Sequence, residues 1–90
     1  MNRIKEELLS NIDRIHTTEL GKKRIQKNLK NYSTNIVEDL KNKILNKDCL
    51  VYKKGKNNYC EVENIKITIN SYNYCIITAH LIRGDIHDKN

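Results

Sequence analysis

The spacing of the apolar residues changes once along this chain, near Cys49, and any fold must bury both halves of the pattern together. Over residues 3–46 they recur three and four positions apart, the period of a helix with one buried stripe. Ile4, Leu8, Leu9, Ile12 and Ile15 make a first stripe, Leu20, Ile25 and Leu29 a thinner second one, and Ile36, Val37, Leu40 and Ile44 a third. Thr17 or Thr18 is placed to cap the second helix, with Glu19 at the positive end of its dipole. Asn35 followed by Glu38 has the spacing of a capping box for the third. From Cys49 the period is two, and "CLVYK", "YCEVE", "IKITIN" and "YCIITAHL" read as four short strands. Residues 55–58, 63–64 and 71–73 are the links between them. Links so short force antiparallel neighbours, because a parallel crossover needs a dozen residues or more. The expected fold is α+β, with about three N-terminal helices packed on one face of a four-stranded antiparallel meander. Ninety residues supply one core, so the chain reads as a single domain, 1–90. Its helical part covers about 3–46, its sheet part about 49–82, and a frayed tail 83–90.

Alternation assigns the faces. Cys60, Val62, Ile65, Ile67 and Ile69 point toward the helices, leaving Tyr59, Glu61, Lys66, Thr68 and Asn70 on the other side. In the last strand the same rule sends Cys75, Ile77, Ala79 and Leu81 inward, and Tyr74, Ile76, Thr78 and His80 outward. One face is apolar and covered; the other carries a carboxylate, an imidazole and hydroxyls.

Charge narrows the ligand class. The net charge is +6, and the cations cluster: residues 21–30 hold five and no acid, residues 52–56 hold three. Such runs attract polyanions. Lys22, Lys23, Arg24 and Lys27 on the second helix, Lys53, Lys54 and Lys56 in the first hairpin, and Arg83 are the candidate phosphate contacts. No stretch approaches the roughly 20 apolar residues that span a bilayer, and the acidic, amphipathic N-terminus is unlike a signal peptide. The expected location is cytoplasmic, with no membrane association. Three cysteines, an odd number with no C-x-x-C pair, argue for buried reduced thiols over a disulfide framework or a zinc site. No metal-ligand spacing and no phosphate-binding glycine loop occurs, so no metal or cofactor is expected.

The residue types on the open face suit acid–base chemistry on a bound phosphodiester. RNA cleavage without a metal needs a base for the 2′-hydroxyl, an acid for the leaving oxygen, and cations around the phosphate. Histidine serves either proton role near neutral pH. His80 is the first candidate, with Thr78 orienting it or the phosphate. Glu61 is the candidate base. His16, beside two hydroxyls and an acid in "HTTELG", is a fourth candidate catalytic residue.

"HTTELGKKRIQKNL", "KGKNNYC" and "IITAH" resemble the motifs of a small bacterial family known as domain of unknown function 3781, over roughly residues 4–81. Asn58 stands where that resemblance implies an aromatic residue. The order of elements, ending in a strand with Thr-x-His, is similar more distantly to barnase-, colicin- and RelE-like ribonucleases. That likeness implies Thr78 and His80 as site residues, with Arg24, Lys54 and Lys56 as phosphate contacts. The expected function is binding of RNA or single-stranded nucleic acid, with metal-independent endoribonuclease activity. The alternative is a non-catalytic module that recognises nucleic acid or a protein partner through the same face.

Overall fold

In order along the chain stand α1 (Arg3–Ser10), a 3-10 turn (Ile12–Arg14), α2 (Glu19–Leu29) and α3 (Ile36–Ile44). β1 (Leu50–Lys54), β2 (Asn57–Val62), β3 (Ile65–Asn70) and β4 (Ile76–Leu81) follow. This is a computed structural model describing residues 3–82; the expected tail, with Arg83, lies outside the described residues. The strands pair antiparallel in the order β1-β2-β3-β4. Gly55 turns the first hairpin at φ 64°, and Glu63 and Asn64 turn the second with positive φ at both positions. Two-residue loops of this kind match the twist of the strands they join.

Val51, Cys60, Ile67 and Ala79 form one inward row across all four strands. The row belongs to the same buried cluster as Leu8, Ile25, Leu40 and Ile44. Truncating one of these large side chains to Ala costs about 2–5 kcal/mol, because the site cannot collapse fully. Lys5 fixes α1 against the start of the sheet: its ammonium donates to the carbonyls of Asn46, Lys47 and Cys49 at 3.3, 3.3 and 2.7 Å. Those carbonyls follow α3, where a cation complements the helix dipole. Thr18 caps α2, its Oγ1 accepting from the Gly21 amide at 2.9 Å. Lys30, at φ 55°, closes the other end, with the Asn31 amide reaching back to the Gln26 carbonyl at 3.0 Å.

Five sequence-based expectations differ from the structure. α1 stops at Ser10 and does not run on to Ile15. Ser10 Oγ and Asn11 Nδ2 bond back to the carbonyls of Glu6 and Glu7, the competition that makes these residues poor helix continuers. Leu20 is 67% exposed, because α2 buries only its Gly21 and Ile25 face. Asn35 begins α3 without a side-chain cap, its own amide donating to Ser33 Oγ at 3.1 Å. Cys75 precedes β4 and is half-buried, whereas Cys49 and Cys60 are buried.

The fifth difference is the facing of β4. Ile69 pairs with Ile76 and Thr68 with Thr78, so Ile77 is an extra residue in the ladder. Such a bulge reverses the parity of everything before it. Ile76 and Tyr74 are therefore buried and Ile77 is 39% exposed, the opposite of simple alternation. Beyond the bulge Ala79 is buried as expected, and Leu81, at the strand's end, is 36% exposed.

Candidate nucleic-acid interface on the open sheet face

Because the bulge sits before Thr78, the outward face keeps its register where it carries polar residues. Glu61, Lys66 and His80 are direct cross-strand neighbours in one row on β2, β3 and β4. Adjacent strands lie about 4.8 Å apart, which puts the Glu61 and His80 backbones about 10 Å apart with Lys66 between them. The next row along is Tyr52, Tyr59, Thr68 and Thr78, and the one after is Lys54, Asn57 and Asn70.

The side chains in these rows hold one another. The rings of Tyr52 and Tyr59 stack, with centroids 5.5 Å apart and planes 21° apart. Tyr52 Oη donates to Glu61 Oε2 at 2.6 Å, and that bond to the carboxylate holds the phenol above its ordinary pKa. Lys66 Nζ lies 5.1 Å from the Tyr59 ring centroid, a cation against a π-face. On the β4 side, Asn28 Nδ2 of α2 donates to Thr78 Oγ1 at 3.2 Å, joining the sheet face to the exposed side of the helix. Arg24, Lys23 and Lys27 stand on that side, around Leu20, in a shallow cavity. Lys22 is half-buried.

The remaining expected residues sit elsewhere. Lys53, Lys54 and Lys56 are exposed at the β1–β2 hairpin end. His16 is exposed, and its backbone bridges Cys75, just before β4 and five residues before His80. At about 3.3 Å per residue the two imidazoles belong to points roughly 17 Å apart. The His16 Nδ1 lies 2.9 Å from the Arg14 carbonyl. The structure brings Glu61 and His80 to one row and leaves His16 outside it. Lys66 lies on this face as alternation implies, while Tyr52 and Asn28 are components of the surface that the sequence pattern did not single out. The signal for Tyr52 was alternation in "CLVYK", which turns Val51 in and Tyr52 out.

The "HTTELG" stretch has a clear place in the architecture. The His16 amide donates to the Tyr74 carbonyl and the Ile76 amide to the His16 carbonyl, at 3.2 and 2.7 Å. Thr17 Oγ1 donates to the Ile76 carbonyl at 2.9 Å, and Thr18 caps α2. The motif fastens α2 to β4, and so sets where Asn28 meets Thr78. Asn58 is also structural: it lies in β2, faces inward and is 6% exposed. An aromatic residue there would pack in the core and would not stack on a ligand.

The class defined is a small α+β domain with helices on one sheet face and, on the other, half-buried aromatic and charged side chains around a buried Thr68. A family model described as protein of unknown function, DUF3781, matches residues 9–80, and the chain belongs to that family. No curated protein and no solved structure matches it. Among the described residues no helix is long and apolar enough to cross a membrane.

Proposed function

We propose that the open sheet face binds single-stranded RNA and that Glu61, Lys66 and His80 cleave it. The observation that carries this reading is the cross-strand row of these three residues, lying beside the stacked Tyr52 and Tyr59. Unpaired bases stack on exposed aromatic rings, and basic side chains track the backbone between them. Lys66 and Lys54, with Arg24 and Lys27 beyond Asn28, supply those charges.

In the proposed step Glu61 takes the proton of a ribose 2′-hydroxyl, and that oxygen attacks the adjacent phosphorus. The bond from phosphorus to the 5′-oxygen breaks, and His80 as imidazolium protonates the leaving oxygen. The products are a 2′,3′-cyclic phosphate and a 5′-hydroxyl. Lys66, between acid and base, stabilises the charge that grows on the non-bridging oxygens. Both proton transfers come from side chains, so the reaction proceeds in chelator.

One observation favours a second reading, binding without cleavage. The Tyr52 hydroxyl already occupies one oxygen of Glu61. Titration of a labelled oligoribonucleotide tests what the two readings share. Binding should weaken with salt, with log K falling by about 0.7 per decade of salt for each phosphate neutralised. Lys66→Gln should lower that slope by about one phosphate's share. An oligonucleotide that does not bind at low salt contradicts both readings.

A further inference from the structure

Beyond the end of the open face, the β3–β4 turn carries Tyr72, 70% exposed, on a backbone that is tied down on both sides of it. Asn70 Oδ1 accepts from the amides of Tyr72 and Asn73 at 2.8 and 3.1 Å, and Asn73 Oδ1 accepts from the Cys75 amide at 2.9 Å. Ser71 donates twice to the Lys56 carbonyl, from its amide at 2.9 Å and from Oγ at 2.8 Å. The turn is thereby tied to the tip of the first hairpin, which holds exposed Lys54 and Lys56.

Strained backbone adjoins the turn. Tyr74 follows it at φ 59°, a region that bulky side chains rarely enter. Burial of its ring and the Arg14 guanidinium, 4.8 Å from the ring centroid, hold it there. Backbone strain that the surroundings enforce in this way is concentrated where geometry matters for function. What it fixes here is the pose of residues 71–73, and the only large apolar surface those residues present is the Tyr72 ring. An exposed ring on a fixed turn stacks on a base with little further loss of backbone freedom.

We propose that Tyr72, with Lys54 and Lys56, is a second base-stacking subsite for the strand of RNA held by the sheet face. The inference rests on the reading of that face as an RNA site. Tyr72 lies four residues, at most about 13 Å, beyond Thr68, whose cross-strand partner Tyr59 is about 5 Å to the side, so the Tyr59 and Tyr72 positions are about 14 Å apart. A stacked strand rising about 3.4 Å per nucleotide covers that span in about four nucleotides. A ligand of three nucleotides therefore reaches one aromatic station, and one of eight reaches both. The subsite adds affinity only for the longer ligand.

The test compares fluorescein-labelled U3 and U8 by anisotropy at low salt, with wild type and the variants Tyr72→Ala, Tyr59→Ala and Tyr32→Ala. Tyr32 is a second tyrosine, 67% exposed on the link between α2 and α3, and serves as control. Tyr72→Ala should weaken U8 binding about ten-fold or more and leave U3 unchanged, since losing one stacked base has an effect of that order. Tyr59→Ala should weaken both ligands, and Tyr32→Ala neither. The subsite is overturned if Tyr72→Ala binds U8 like wild type or like Tyr32→Ala, or loses equally on U3 and U8. In those cases the reading of the sheet face stands as long as Tyr59→Ala still weakens binding. If wild type binds neither ligand, both proposals fall together.

Discussion

Thr17 hangs the second helix on the last strand: its Oγ1 donates to the Ile76 carbonyl at 2.9 Å, and a Cβ on Gly21 would run into that same oxygen. For the hydroxyl to move aside it must give up its bond to Ile76. Gly21→Ala in an ordinary helix gains up to about 1 kcal/mol from propensity. Here it should destabilise by about 1–3 kcal/mol, as overpacking does. In a Thr17→Ala background most of that loss should vanish, which a double-mutant cycle in urea would measure. A Gly21→Ala protein more stable than wild type contradicts the described contact.

Asn58 should be improvable. Its Oδ1 is buried with no hydrogen-bond partner among the described residues, in a strand position otherwise suited to an apolar side chain. Asn58→Leu keeps the shape and removes the orphaned acceptor, a change expected to stabilise by about 1–3 kcal/mol. A rise in the urea midpoint with an unchanged slope is the expected result. A fall would mean that the amide is satisfied in solution.

The cysteines should react in order of access. The Cys60 thiol hydrogen-bonds to Cys49, which lowers Cys49 and, together with burial, pushes Cys60 up. Both are sealed in the core; Cys75 is half-buried. Native protein treated with a thiol reagent should lose one thiol quickly, and Cys75→Ser should abolish that fast phase. The other two should appear only with denaturant. A fast phase that survives Cys75→Ser would show that the core opens readily around Cys49.

Tyr52 predicts a change at alkaline pH. Its neutral hydroxyl donates to Glu61, and that bond raises its folded-state pKa above the ordinary value of about 10. The sign follows: the contribution to stability is complete below pH about 10 and is lost as pH rises through the folded-state value. Ultraviolet titration should show one tyrosine ionising late, and Tyr52→Phe should remove that component. Stability of Tyr52→Phe should fall less steeply than wild type above pH 10.

How much of this was legible in the sequence depends on which residues obey simple periodicity. The period switch near Cys49 and the short links dictated the antiparallel meander, and Glu61, Lys66 and Ile67 alternate as the pleat requires. Ile77 is where alternation failed, since one extra residue is invisible to a pattern of period two and reversed the facing of Tyr74 and Ile76. Thr78 and His80 kept their outward facing because they follow the bulge. Leu20 was read as core from its spacing; the width of the buried stripe depends on what α2 packs against, and that is tertiary information. Tyr52 beside Glu61 is likewise a cross-strand contact, set by a register that no local pattern encodes.

The central claim is that the row of Glu61, Lys66 and His80 acts on RNA, and the direct measurement is cleavage in chelator. The substrate is a labelled oligodeoxynucleotide carrying a single ribonucleotide, incubated with wild type, Glu61→Gln, Lys66→Gln and His80→Ala. Wild type should cut once, 3′ to the ribose, leaving a 2′,3′-cyclic phosphate. His80→Ala should slow the reaction by about 10²–10⁴. It should keep its stability within about 0.5 kcal/mol, because His80 is exposed. Cleavage by His80→Ala at the wild-type rate, or no cleavage by wild type at any concentration that saturates binding, would contradict the assignment.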